Sequence, residues 1–110
     1  MDLQFFANKV DDLGKLKVNN IGEFFKNEFG LSIKNSVTKT KNQYDGQSIY
    51  EVTKKIDSAY LKKGDRFYLD NLHKDHIEVF DKKGNFRVVL NLDGSINEAK
   101  TKKAIGRRLK

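Results

Sequence analysis

Asp70, His73, Asp75, His76 and Glu78 all fall within residues 70–81, which read Asp-Asn-Leu-His-Lys-Asp-His-Ile-Glu-Val-Phe-Asp. Carboxylates and imidazoles at this density match the needs of phosphodiester transesterification on RNA. That reaction asks for a base on the ribose 2′-hydroxyl, an acid on the departing 5′-oxygen, and a cation against the charge that builds on the phosphate. Glu78 suits the base if its setting raises its pKa, His73 the acid, and Arg107 the phosphate ligand. Asp70, three residues before His73, would hold that imidazole in one tautomer and favour its charged form. Neither a metal nor a cofactor is required. The competing reading is a metal such as zinc, held by His73 and His76 with Asp75 or Glu78. That His-x-x-His spacing runs across a turn rather than along a helix, and it fixes too few ligands. A solvated surface turn is the plainest alternative, because charged residues gather in turns without catalysing anything.

These side chains meet only if the backbone folds them together. Residues 66–69 (Arg-Phe-Tyr-Leu) read as a short strand, and residues 76–81 alternate, with Ile77 and Val79 on one face and His76, Glu78 and Phe80 on the other. The polar residues 70–75 between them form a turn, so Asp70, His73 and Glu78 converge over one face of the ribbon. Lys82-Lys83-Gly84-Asn85 is a second turn, residues 86–92 are a third strand, and Asp93-Gly94 closes it. Tyr68, Phe80 and Phe86 either pack in the core or stack on bases.

Upstream, Asn20 and Glu23 open a helix whose face is Ile21, Phe24, Phe25 and Phe29, ended by Gly30. Leu31, Ile33 and Val37 alternate as a weak strand, and residues 39–47 are polar and loop-like. Ser48 and Glu51 form a capping box ahead of a stripe of Ile49, Val52, Ile56, Ala59 and Tyr60, with Lys62 and Lys63 before Gly64. This predicts a helix over residues 48–63. Ser95 and Glu98 repeat the capping pattern, so the C-terminal part is a helix, or else a loop followed by an edge strand. The expected fold is α+β, a small twisted antiparallel meander packed with two or three helices.

At 110 residues the chain is sized for a single domain, 1–110, and without cysteine it has neither disulfide nor thiolate chemistry. With 22 Lys and Arg against 15 Asp and Glu, the net charge of +7 favours a polyanionic partner. The C-terminal residues 99–110 hold Lys100, Lys102, Lys103, Arg107, Arg108 and Lys110 without an acid among them. Lys82, Lys83, Lys100, Lys102, Lys103 and Arg108 are the expected RNA contacts, against the reading of a solvated tail and turn. The apolar run at residues 3–7 is too short for a signal-peptide core or a membrane span. Action in the cytoplasm without a membrane partner is expected, by a delivery route the sequence does not reveal. Phe5, Phe6 and the Phe24/Phe25 face are candidate partner surfaces.

Asp70-x-x-His73, the strand Ile77-Glu78-Val79-Phe80-Asp81, Lys83-Gly84-Asn85 and the basic Gly106-Arg107-Arg108-Leu109 together resemble the cytotoxic ribonuclease domain of cloacin and the ribosome-cleaving colicins. Related domains end many polymorphic bacterial toxins. The resemblance covers residues 62–110 and implies Asp70, His73, Glu78 and Arg107 as catalytic residues, with Arg108 the alternative for the last. It implies a twisted antiparallel sheet with a helical N-terminal part. It also implies cleavage of small-subunit ribosomal RNA, the ribosome as target, and an acidic immunity protein as partner. Residues 46–110 are then the ribonuclease-like region and residues 1–45 an accessory N-terminal segment. The family has one residue fewer between the histidine and the strand glutamate. A bulge that absorbs the extra residue keeps Glu78 on the site; otherwise Asp75 becomes the carboxylate, or the site is inactive. Separately, Met1-Asp2-Leu3-Gln4-Phe5-Phe6-Ala7 is similar to the start of many phage head proteins. A non-catalytic prophage-encoded structural or nucleic-acid-binding protein is therefore the alternative function.

Overall fold

β-branched and aromatic residues at alternating positions build the centre of the molecule, an antiparallel sheet seen in a computed structural model that describes residues 9–10 and 16–109. Two short strands, β1 (Lys9–Val10) and β2 (Leu16–Lys17), pair with each other. The main sheet has five strands in sequence order: β3 (Val37–Tyr44), β4 (Gln47–Val52), β5 (Arg66–Leu69), β6 (His76–Phe80) and β7 (Phe86–Asn91). Helices α1 (Ile21–Phe24) and α2 (Glu28–Ile33) precede it, a 3₁₀ turn (Lys34–Ser36) leads into it, and α3 (Glu98–Ala104) follows. The α+β meander expected from the sequence is the fold. Among the described residues no helix is long and apolar enough to cross a membrane.

The two faces of the sheet differ in kind. Val52, Phe67, Leu69, Ile77, Val79, Val88 and Leu90 point to one side, where Val18, Phe24, Phe25 and Ile33 complete the main core. On the other side Ile49, Tyr68 and Phe80 make a smaller cluster with Phe86 and Leu109, and Glu78 lies among them in register with Tyr68. The alternation expected in β6 is therefore realised: Ile77 and Val79 face the main core, and Glu78 and Phe80 face away from it.

Five local expectations are overturned. The polar segment 39–47 is strand β3 and a hairpin, because Asp45 and Gly46 take φ of 52° and 82°, the left-handed pair that a two-residue hairpin turn requires. This turn lies at the expected boundary near residue 45, so strands on both sides of it join one sheet. The helix expected over residues 48–63 is instead β4 followed by irregular chain. Ile49 and Val52 satisfy helical spacing, but they enter opposite faces of a strand that also buries part of Tyr50. The weak strand at Leu31 and Ile33 is helix α2, capped by the Asn27 side chain, which accepts from the Gly30 N–H at 2.9 Å. Gly30 does not stop the first helix. It lies inside the second, where an added Cβ would come 1.9 Å from the Phe24 carbonyl oxygen. The C-terminal helix forms with Asn97, not Ser95, as its cap. The apolar run at residues 3–7 lies outside the described residues.

Candidate active site

Glu78 is the hub of the second face. β6 sets it opposite Tyr68 on β5 and Val89 on β7, and only 5% of its surface is exposed. Its Oε1 accepts a hydrogen bond from the Tyr68 hydroxyl at 3.2 Å and another from Arg107 Nη1 at 2.6 Å. Its Oε2 lies 3.7 Å from His76 Nε2. His76, two residues earlier, shares the face by strand alternation and is buried. Its Nδ1 meets Asp75 Oδ1 at 2.6 Å, and its Nε2 is 3.8 Å from Asp70 Oδ1.

The turn before β6 is tied by Asp70. Its N–H donates to the His76 carbonyl, its carbonyl accepts from the Lys74 N–H, and its Oδ2 accepts from the His73 N–H at 2.7 Å. The same oxygen is 3.3 Å from His73 Nδ1, which places the His73 ring at the exposed rim, 6.3 Å from the His76 ring. Lys74 takes φ of +55° inside this turn. β5 and β6 pair without a register shift from Arg66↔Phe80 to Leu69↔Ile77. No bulge therefore separates the turn from Glu78 along this strand pair, and Glu78 keeps its side of the sheet.

Arg107 reaches Glu78 through the docking of the C-terminal segment. After α3, Gly106 at φ +95° redirects the chain, Phe86 N–H donates to the Arg107 carbonyl, and Leu109 N–H donates to the Gly84 carbonyl at 2.8 Å. Gly84 is indispensable to this contact: an added Cβ would lie 2.4 Å from the Leu109 carbonyl oxygen, and φ is +87°. Arg108 points elsewhere, to the Asn85 side chain and the Lys83 carbonyl. Between the two candidate arginines, Arg107 is the one on the carboxylate.

Electrostatics sharpen these roles. Burial pushes the Glu78 pKa up, but hydrogen bonds and charge from His76 and Arg107 outweigh it, so the carboxyl is held below its ordinary value. The expectation of a raised Glu78 pKa is corrected: two cations surround it. Burial works against a charged His76, yet Glu78, Asp75 and Asp70 together raise its pKa. Asp75 is lowered against its own burial by the same imidazole. Burial, then the Glu78 charge, pushes the Tyr68 phenol far up, so Tyr68 acts as a proton-bearing donor.

Asp70, His76 and Glu78 offer three ligand atoms within 4.8 Å of one another, and His73 is not among the set. A cation there would need His76 in its neutral form, against the direction in which its carboxylate neighbours shift it.

Two open clefts flank the Glu78–Arg107 pair. One, of 230 Å³, is lined by His73, His76, Lys100 and Lys103, the lysines being successive on one face of α3. The other, of 430 Å³, is lined by Tyr44, Tyr68, Phe80 and Arg108. Asp70, Leu72, Glu78 and Arg107 border both. The structure therefore gathers Asp70, His73, Glu78 and Arg107, with Lys100 and Lys103 beside them. Lys82 and Lys83 sit in the turn next to Arg108, and Lys102 is exposed on α3 outside both linings. Tyr68 and Phe80 are buried as packing residues and Phe86 is half-buried against them. His76 and Tyr68 are the contributions to the hub that sequence reasoning did not assign. Their signals were present: His76 shares Glu78's parity in the strand, and Tyr68 stands across a hairpin from it.

No protein family, no curated protein and no solved structure matches the chain.

Proposed function

We propose that this chain is a metal-independent endoribonuclease toxin that cleaves RNA by acid–base transesterification, with small-subunit ribosomal RNA as its target. The reading is supported above all by the 2.6 Å bond between Arg107 and the buried Glu78, which joins a phosphate-binding cation to an ionised carboxylate from distant parts of the chain. Glu78 removes the 2′-hydroxyl proton, and the 2′-oxygen attacks phosphorus. The bond from phosphorus to the 5′-oxygen breaks as His73 delivers a proton to that oxygen, leaving a 2′,3′-cyclic phosphate and a 5′-hydroxyl. Asp70 orients His73, and Arg107 faces the charge that develops on the phosphate. His76 and Tyr68 are positioning residues that keep Glu78 ionised and aimed.

The arrangement also couples binding to basicity. Arg107 holds the Glu78 pKa down, and half of its own side chain is open to solvent. When a phosphate draws the guanidinium onto itself, Glu78 loses a partner that suppresses its basicity and becomes a stronger base at the moment it is needed. The basic face suits an acidic inhibitor as well as RNA, and the resemblance to colicin nucleases supports an immunity protein of that kind.

Inducing the chain in a bacterium tests the proposal. Growth arrest with a shortened small-subunit RNA is expected, and Glu78→Gln should restore growth by lowering the cleavage rate about 10²- to 10⁴-fold. Normal growth on soluble, full-length protein, with RNA bound but intact, would favour a non-catalytic nucleic-acid-binding protein instead.

A further inference from the structure

The aromatic surface of the cleft on the Tyr44 side of Glu78 has no part in the proton transfers. Three rings form a column there: Phe80 stacks on Tyr68 at 5.8 Å and 20°, and Tyr68 stacks on Tyr44 at 4.7 Å and 27°. The inner two are buried, while Tyr44 at the end of β3 is 51% exposed and Leu72, which lines the same cleft, is 80% exposed. Charge adjoins the column, since Arg107 and Arg108 line this cleft as well. Exposed aromatic surface in a cleft that two arginines border suits a planar base carried on a phosphodiester.

We propose that this cleft is a base-binding subsite, in which an unpaired nucleotide flanking the scissile phosphate stacks on Tyr44 and extends the ring column. The inference rests on the ribonuclease reading for the identity of the neighbouring phosphate, and it assigns the substrate class as RNA with an unstacked base at the cut. The two clefts meet at Glu78 and Arg107, so a strand crossing that ridge lays its base on the aromatic side. Its adjoining backbone lies on the side of His73, Lys100 and Lys103. A base held in a continuous duplex has both faces covered by its neighbours and cannot take this place. The subsite therefore selects loops, bulges and single strands.

The chain contains no tryptophan, so Tyr44→Trp introduces a unique fluorophore at the platform. Binding is measured in a chain that also carries Glu78→Gln, which slows turnover below the time of the measurement and separates this test from the cleavage reading. A single-stranded RNA decamer should quench the emission of the introduced indole. The same decamer in a duplex, or an abasic ribose-phosphate decamer, should leave it unchanged. In the Glu78→Gln background, Tyr44→Ala should weaken the single-stranded decamer about five- to hundred-fold, and Tyr44→Phe should hold affinity near the parent value. Unchanged emission at saturating decamer, quenching by the abasic strand, or equal affinity of the Tyr44→Ala and Tyr44→Phe chains would overturn the subsite. Cleavage by the unmutated chain would be unaffected by any of those results.

Discussion

As the proposed base, Glu78 must be ionised to accept a proton, and its partners decide how far down the pH scale that condition reaches. Because His76 and Arg107 hold its pKa below the ordinary 4.5 in the free protein, the acid limb of the kcat/KM profile should fall below that value. His76→Gln removes the closest cationic partner on Oε2 without touching His73 or Arg107. The limb should then move to higher pH while the rate on the plateau changes less. A limb that stays in place would make His76 a packing residue only, whereas a purely structural role would lower activity at every pH alike. Sequence reasoning reached Glu78, His73, Asp70 and Arg107 through residue type and spacing. It chose His73 and passed over His76 as a neighbour of Glu78, because only burial separates the two: His76 is 3% exposed, and the His73 ring lies at the rim.

At the scale of elements, the site depends on a tail docking against a turn. Gly84 lets the β6–β7 turn accept Leu109, and that contact delivers Arg107 to Glu78. Gly84→Ala places a methyl group against the Leu109 carbonyl oxygen. It should lower the cleavage rate by at least tenfold and leave the far-ultraviolet circular dichroism of the sheet unchanged. Unchanged activity would show that the tail docks by other means. The three strands β5, β6 and β7 were legible because alternation, turn residues and β-branched content agree there. The β3–β4 hairpin was missed because Ile49, Val52 and Ile56 satisfy a helical period by coincidence, and because the Lys-rich β3 resembles a loop. That strand is an edge, where lysines protect the open hydrogen-bonding groups from foreign pairing. The Asp45-Gly46 pair is the hairpin signal there, and the reading of residues 39–47 as a loop passed over it. The break between α1 and α2 was not legible, since it comes from the backbone of Gly30 packing on Phe24.

At the scale of the molecule, the charged cluster ties stability to pH. His76 has a raised pKa, so its contribution is complete below about 6.5 and fades as pH rises through its folded value. Glu78 and Asp75 have lowered pKa values. Their contributions are complete above about 4.5 and 3.8 and fade as pH falls through their folded values. The cluster therefore stabilises the fold most between about pH 4.5 and 6.5. Urea midpoints measured across pH should decline above that window, and His76→Gln should flatten the decline; a decline of the same size in the variant would assign it to other groups. The central claim is that Glu78, His73 and Arg107 act together on one phosphodiester without a metal. It is tested most directly by incubating the purified chain with ribosomes in excess chelator and identifying the new RNA ends. A 2′,3′-cyclic phosphate facing a 5′-hydroxyl, formed by the unmutated chain and lost in Glu78→Gln, is the predicted result. Intact RNA, or cleavage that requires a divalent cation and leaves a 3′-hydroxyl, would contradict it.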